Sequence, residues 1–204
     1  MRQELRHFTI DGAYGWNQDW FPDIFMRMGG CAAVTACDSC VYFALRMGYQ
    51  NMIKFNPEQI TRADYLDLSR HMKRVLGPRM RGVDRLEIYQ EGFTQYLRDV
   101  NQTGLSVGAF HGSQSYQAAR DRVVSQINAG YPIPFLLLRH GKPEFDFYTW
   151  HWFLLMGYDD NHDLNPGAGF RVQAVTYGSP RWLDFDRLWD TGFDEKGGMI
   201  IFSA

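Results

Sequence analysis

The sequence predicts an α+β fold, and three observations carry that expectation. Helical patterns come first and strand patterns last, rather than alternating as a doubly wound sheet would require. One helix, over residues 31–45, has small side chains at 32, 33 and 36 and bulk at Val34, Val41, Phe43 and Leu45, as a helix buried on most of its faces would. The apolar stretch 150–158 and a returning strand over 170–177 read as an antiparallel hairpin. No fixed-period repeat, low-complexity tract or linker interrupts the 204 residues, so one domain over residues 1–204 is expected.

Residues 1–28 are dense in aromatics and broken by Gly12, Gly15 and Pro22, which predicts an irregular lead-in draped over the core. The central helix follows. Residues 57–76 place apolar side chains at 60, 65, 66, 68, 72, 75 and 76, a helical spacing that opens on Pro57 and stops at Gly77-Pro78. A further helix is expected over 86–100, although Gly92 interrupts it. Between the two, Pro78-Arg79-Met80-Arg81-Gly82 is a basic loop able to receive an acidic group, or simply a solvated surface loop. Residues 105–110 read as a short strand, and 115–128 as an amphipathic helix with Ser115 as N-cap and Gly130 as its stop. Residues 133–138 are apolar enough for a core strand. The hairpin comes next, with a turn-rich connection from Asp159 to Gly169 and a turn at Gly178-Ser179-Pro180. A short helix near 186–189 and a last strand over 198–202 complete the chain.

Composition excludes several classes of function. With 21 basic and 23 acidic residues the net charge is −2, which gives no electrostatic footprint for nucleic acid or an anionic membrane. Apolar runs such as 133–138 and 152–156 are far too short to span a bilayer, and the N-terminus lacks the apolar core of a signal peptide. Three cysteines argue against a disulfide framework and fit a reducing compartment. The expectation is a soluble cytoplasmic protein.

The chemistry-bearing residues are few. Cys31 follows Gly29-Gly30 at the junction of a loop and the central helix, where first-turn N–H groups and the helix dipole favour a thiolate. The same thiol also suits a small buried hydrophobe. His151 opens an otherwise apolar strand, a place where a scaffold can hold a reactive side chain at a cleft edge. Pairing Tyr158 with about Phe170 sets Thr176 or Tyr177 opposite it. Asn17 and Gln18 lie in the aromatic lead-in, and a side-chain amide there can donate to an oxyanion or merely stabilise a turn.

Four pieces of the sequence together resemble the papain-like cysteine peptidase superfamily, and within it the bacterial peptidase C39-like group. They are Asn17-Gln18-Asp19-Trp20-Phe21, Gly29-Gly30-Cys31-Ala32-Ala33, the run from His151 through Trp152-Phe153-Leu154-Leu155-Met156-Gly157-Tyr158 to Asp160, and Thr176-Tyr177-Gly178. They cover about a fifth of the chain, and residues 57–104 hold no matching motif. The resemblance implies an N-terminal helical lobe whose nucleophile helix packs on a C-terminal antiparallel sheet. It implies Cys31 as nucleophile, His151 as general base and then acid, and Gln18 as oxyanion donor, acting on amide or peptide bonds without a cofactor. Three positions depart from the family. Ala32 stands where Gly is usual after the nucleophile, and Gln18 lies 13 residues before Cys31, farther than is common. The strand position for an orienting Asn or Asp holds Thr176, which leaves Thr176, Asp160 and Asp184 as candidates for that role.

The acyl-enzyme that such a pair forms can pass to water or to another acceptor, so a hydrolase and an acyltransferase are both open. Aromatics including Trp16, Trp20, Trp150 and Trp152 are expected to wall the cleft. The Cys37-Asp38-Ser39-Cys40 segment offers a lone CxxC inside a helix, which fits helix packing better than zinc or redox chemistry. A binding module on a catalytically silent papain-like scaffold is the competing class. A depressed thiol pKa separates the two, since packing would not produce it.

Overall fold

The computed structural model describes residues 1–160 and 169–204, and in it helices and an antiparallel sheet form an α+β fold. The turn-rich connection expected between Asp159 and Gly169 lies, over 161–168, outside the described residues. The helices are α1 (Ile24–Gly29), α2 (Cys31–Arg46), α3 (Arg62–Leu76), α4 (Leu86–Asp99), α5 (Tyr116–Asn128) and α6 (Phe185–Trp189). The strands are β1 (Arg2–Glu4), β2 (Thr9–Ile10), β3 (Ala13–Tyr14), β4 (Ser106–His111), β5 (Ile133–Leu137), β6 (His151–Asp159), β7 (Arg171–Thr176), β8 (Ser179–Asp184) and β9 (Gly197–Ser203). Six of them run in the order β4-β9-β5-β6-β7-β8, every pair antiparallel, so the last strand inserts between β4 and β5.

Helix α2 is the middle of the molecule: every residue from Ala32 to Ala44 is buried, against α3 on one side and β6 on the other. Its alanines let those neighbours approach, and its buried Asp38 is held by chemistry rather than packing. Tyr65 donates its hydroxyl to Asp38 Oδ1 at 2.6 Å, and Trp16 stacks on Tyr65 with ring centres 4.4 Å apart. Strand β6 is buried from His151 to Tyr158, which explains its unbroken apolar run: both of its faces are covered.

The loop between α3 and α4 is positioned by their close approach. Thr61 and Asp64 form a reciprocal capping box at the start of α3, and the helix ends at Gly77-Pro78. Inside α4, a Cβ on Gly92 would lie 2.7 Å from Leu76 Cδ2, so a glycine is needed where the end of α3 presses on α4. That contact accounts for the glycine in a helical pattern.

Three expectations need correction. The lead-in is not irregular throughout: β1 pairs with the far end of β6, Gln3 opposite Tyr158, and α1 occupies 24–29. Strands of two or three residues carry no alternation to read. The helix expected from Pro57 begins only at Arg62, and Pro57–Gln59 is a separate 3-10 turn. The hairpin register also differs, because Tyr158 pairs with Val172, and a bulge between Leu155 and Gly157 then sets Leu154 opposite Val175. Among the described residues no helix is long and apolar enough to cross a membrane.

Candidate active site

Cys31 sits where two helices meet through a single residue. Gly30 is the C-cap of α1 and the N-cap of α2, and a side chain on it would collide with the Met26 carbonyl. No side chain caps α2, so its first-turn N–H groups keep capacity for another acceptor. The thiol is partly buried and faces the backbone N–H of Trp152 as well as those of Ala32 and Cys31 itself. Burial raises its pKa and the three amides lower it, with burial the larger effect. The net direction is upward, opposite to the lowering expected from a helix N-terminus alone.

His151 is buried, and burial pushes its pKa down to about 4, so the imidazole is neutral at pH 7. Its Nε2 lies 2.7 Å from Thr176 Oγ1, which leaves Nδ1 as the free ring nitrogen. Of the three residues considered for orienting the imidazole, Thr176 is therefore the one in contact with it, despite the shifted register. Tyr177 stacks on the imidazole, with ring centres 5.2 Å apart and planes 10° from parallel. No hydrogen bond joins the Cys31 thiol to the imidazole, and the two rest as neutral partners.

The backbone on either side of this contact is strained. Trp150, just before His151, has φ +52°, and Tyr177, just after Thr176, has φ +49°. Among the described residues, the other non-glycine residues with positive φ are Asp11 and Asn101, types that tolerate the left-handed region. Two bulky aromatics there cost about 1–3 kcal/mol each, a cost that folds tend to concentrate at functional sites. Trp150 N–H bonds to Leu138 O at 3.2 Å, which helps hold its strained turn against the end of β5.

Gln18 reaches the site because α1 takes up the distance. The residue is buried in a 3-10 turn capped by Asn17, and its Nε2 donates to Arg27 O near the end of α1 at 2.8 Å. One N–H of the amide is thereby used and the second keeps its donor capacity. Gln18, Cys31 and His151 line one cavity of about 530 Å³, together with Trp152, Tyr177 and the loop of residues 78–82. The separation of 13 residues is spanned by a folded helix rather than an open loop.

The other candidates lie elsewhere. Asp160 is bonded to Arg120 at 2.7 Å, nine residues along from His151 and so about 30 Å away on an extended strand. Asp184 caps α6 and pairs in register with Arg171, at the opposite end of the β7–β8 ladder from Thr176. Trp150 and Trp152 line the cavity as expected. Trp16 and Trp20 do not: Trp16 is buried on Tyr65, and Trp20 lies under the Arg62 guanidinium, 3.9 Å from its ring centre. Cys37 and Cys40 are fully buried inside α2, and among the described residues no group of three or more His, Cys, Asp or Glu is placed to hold a metal ion. Sequence reasoning missed the Trp152 amide, because a backbone donor leaves no trace in residue type, whereas Tyr177 was one of the two residues expected opposite His151 and stacks on it. No protein-family model, curated protein or solved structure matches the chain.

Proposed function

We propose that the protein is a papain-like thiol hydrolase of amide or peptide bonds, with Cys31 as nucleophile and His151 as its base. The observation that carries this reading is the convergence of Cys31, His151 and Gln18 on one cavity, with Thr176 engaging the far nitrogen of the imidazole. The order of parts supports it too: a nucleophile helix among N-terminal helices packs on a C-terminal antiparallel sheet.

In this reading the pair rests as thiol and neutral imidazole, and the proton moves only as the sulfur attacks. Sγ forms a bond to the substrate carbonyl carbon while Nδ1 takes the thiol proton, and the carbonyl electron pair moves onto oxygen. The N–H groups of the uncapped first turn and the spare Gln18 N–H stabilise that oxyanion. Collapse expels the amine, which leaves with the proton from Nδ1, and a thioester remains. Water then attacks the thioester, Nδ1 accepts its proton, and the proton returns to sulfur as the acid departs. An amine or alcohol in place of water makes the same intermediate an acyl-transfer step. Thr176 keeps Nδ1 aimed inward and brings no negative charge to stabilise an imidazolium, consistent with a base of low pKa.

The upward shift of the thiol favours a second reading, a binding module in which Cys31 only lines the cleft. Incubation with internally quenched peptide libraries separates them. Cleavage present in the wild type and absent in Cys31→Ala and His151→Ala supports the hydrolase, and cleavage equal in all three, or absent from the wild type, removes it.

A further inference from the structure

The loop of residues 78–82 lines the cavity that holds Cys31, and with Arg79 and Arg81 it supplies the only fixed charges among the lining residues described. No Asp, Glu or Lys lies on that wall, in a chain whose net charge is −2. Arg81 reaches Asp84 at 3.5 Å, and Arg79 has no ion-pair partner among the described residues. Around the mouth, Phe25, Met28, Met80, Phe147 and Trp150 are all exposed, so most of the large exposed apolar side chains among the described residues gather at this one place. A second cavity of about 610 Å³ adjoins the first through Arg81, Leu136, Leu138 and Trp150, and its wall mixes both signs of charge, Asp84, Glu87, Asp194 and Glu195 with Arg85 and Lys196. On the Cys31 side of Trp150 the fixed charge is of one sign only, so a carboxylate is drawn there.

We propose that the Cys31 site selects an acidic, hydrophobic peptide: a substrate carboxylate bound by Arg79 and Arg81, next to an apolar side chain laid on Met28 and Met80. This rests on the reading of Cys31 as a nucleophile, and it adds what that nucleophile acts on. Two guanidinium groups suit the task because each presents a planar fork of donors matched to a carboxylate. The apolar rim supplies contact area, and the cations select which peptide uses it and raise its local concentration at the thiol.

Two measurements on the full chain test the proposal separately from the hydrolase reading. The first compares alkylation of Cys31 by iodoacetate, an anion, with that by neutral iodoacetamide, read by peptide mass spectrometry. The rate ratio is expected to fall about tenfold in Arg79→Gln/Arg81→Gln and to fall in the wild type at high salt. Arg70→Gln, on the outer face of α3, leaves it unchanged. A thiol is alkylated whether or not it is catalytic, so a ratio unmoved by the double variant overturns the proposal on its own. The second uses quenched peptides in pairs that differ by Glu against Gln. Cys31-dependent cleavage that favours the Glu members, with the preference lost in the double variant, supports the proposal. Cleavage indifferent to Glu overturns it and leaves the nucleophile standing. Absence of Cys31-dependent cleavage removes the hydrolase reading, and the alkylation ratio alone then decides whether the cleft receives an acidic ligand.

Discussion

Helix α2 carries three cysteines in two settings, and the difference between its first turn and its middle separates a site from a core. Cys37 and Cys40 are fully enclosed, and burial pushes both thiols well up, with the Asp38 carboxylate adding to the shift in each. No basic group among the described residues offsets either shift. Cys31 is also shifted upward, but it is partly open to a cavity and has three backbone N–H groups lowering its pKa against burial. A neutral imidazole shares that cavity. Burial sets the direction for all three, so the cysteines differ less in resting ionisation than in what surrounds them. Under the proposed function, reactivity follows from access, amide donors and a base, which the first turn has and the middle lacks.

Substitutions should split the two settings cleanly. Cys31→Ala is expected to reduce peptide cleavage by at least about ten-thousand-fold, since no other group replaces the nucleophile. His151→Ala should cost between about a hundred- and ten-thousand-fold in kcat/KM, the range for a lost general base. Cleavage surviving either change would erase the distinction between the two parts of the helix. Cys37→Ser should do the reverse, leaving kcat/KM unchanged and lowering stability by about 1–3 kcal/mol in urea unfolding, because a polar hydroxyl replaces a thiol that packs as a buried apolar group.

Acid should sharpen the contrast through His151. Its pKa is lowered from 6.5 to about 4 in the folded chain, so between those values the unfolded chain binds a proton that the folded chain refuses. Stability then rises with pH across that window and is lost as pH falls toward 4. At about 1.4 kcal/mol per unit, the loss is on the order of 3 kcal/mol. The lowered pKa of His140 acts with the same sign, so the comparison to make is wild type against His151→Asn at pH 7 and pH 4.5. A difference between the two proteins that does not change with pH would contradict the buried neutral imidazole. The smallest effect is expected from Thr176→Val, about tenfold in kcat/KM with the base still present, the scale of one orienting hydrogen bond. An unchanged pH–rate profile in that variant would show that Tyr177 stacking alone aims the ring.

Much of this arrangement was readable from residue patterns. The burial of α2 followed from alanines at 32, 33 and 36, and the hairpin from two apolar runs with turn residues between them. Ser115 and Gly130 marked the limits of α5 because capping is written in side-chain type. What stayed hidden was written in the backbone. The bulge between Leu155 and Gly157 moved the register without changing composition, and Thr176 meets His151 diagonally across the end of the ladder rather than in direct register. The direction of the Cys31 shift could not be read either, since a helix N-terminus is visible in sequence and the depth of burial around one sulfur is not. The roles of Asp160 and Asp184 were left open for the same reason: which end of a strand a carboxylate occupies depends on register.

Acylation of the native protein by p-nitrophenyl acetate, with the adduct located by peptide mass spectrometry, tests the central claim most directly. The account predicts an acetyl group on Cys31 and none on Cys37 or Cys40. The rate of its formation should rise with pH through a base of pKa near 4 and drop steeply in His151→Ala. Acylation of Cys31 at the rate of an ordinary free thiol, unaffected by His151→Ala, would contradict it: the first turn of α2 would then be chemically no different from its middle.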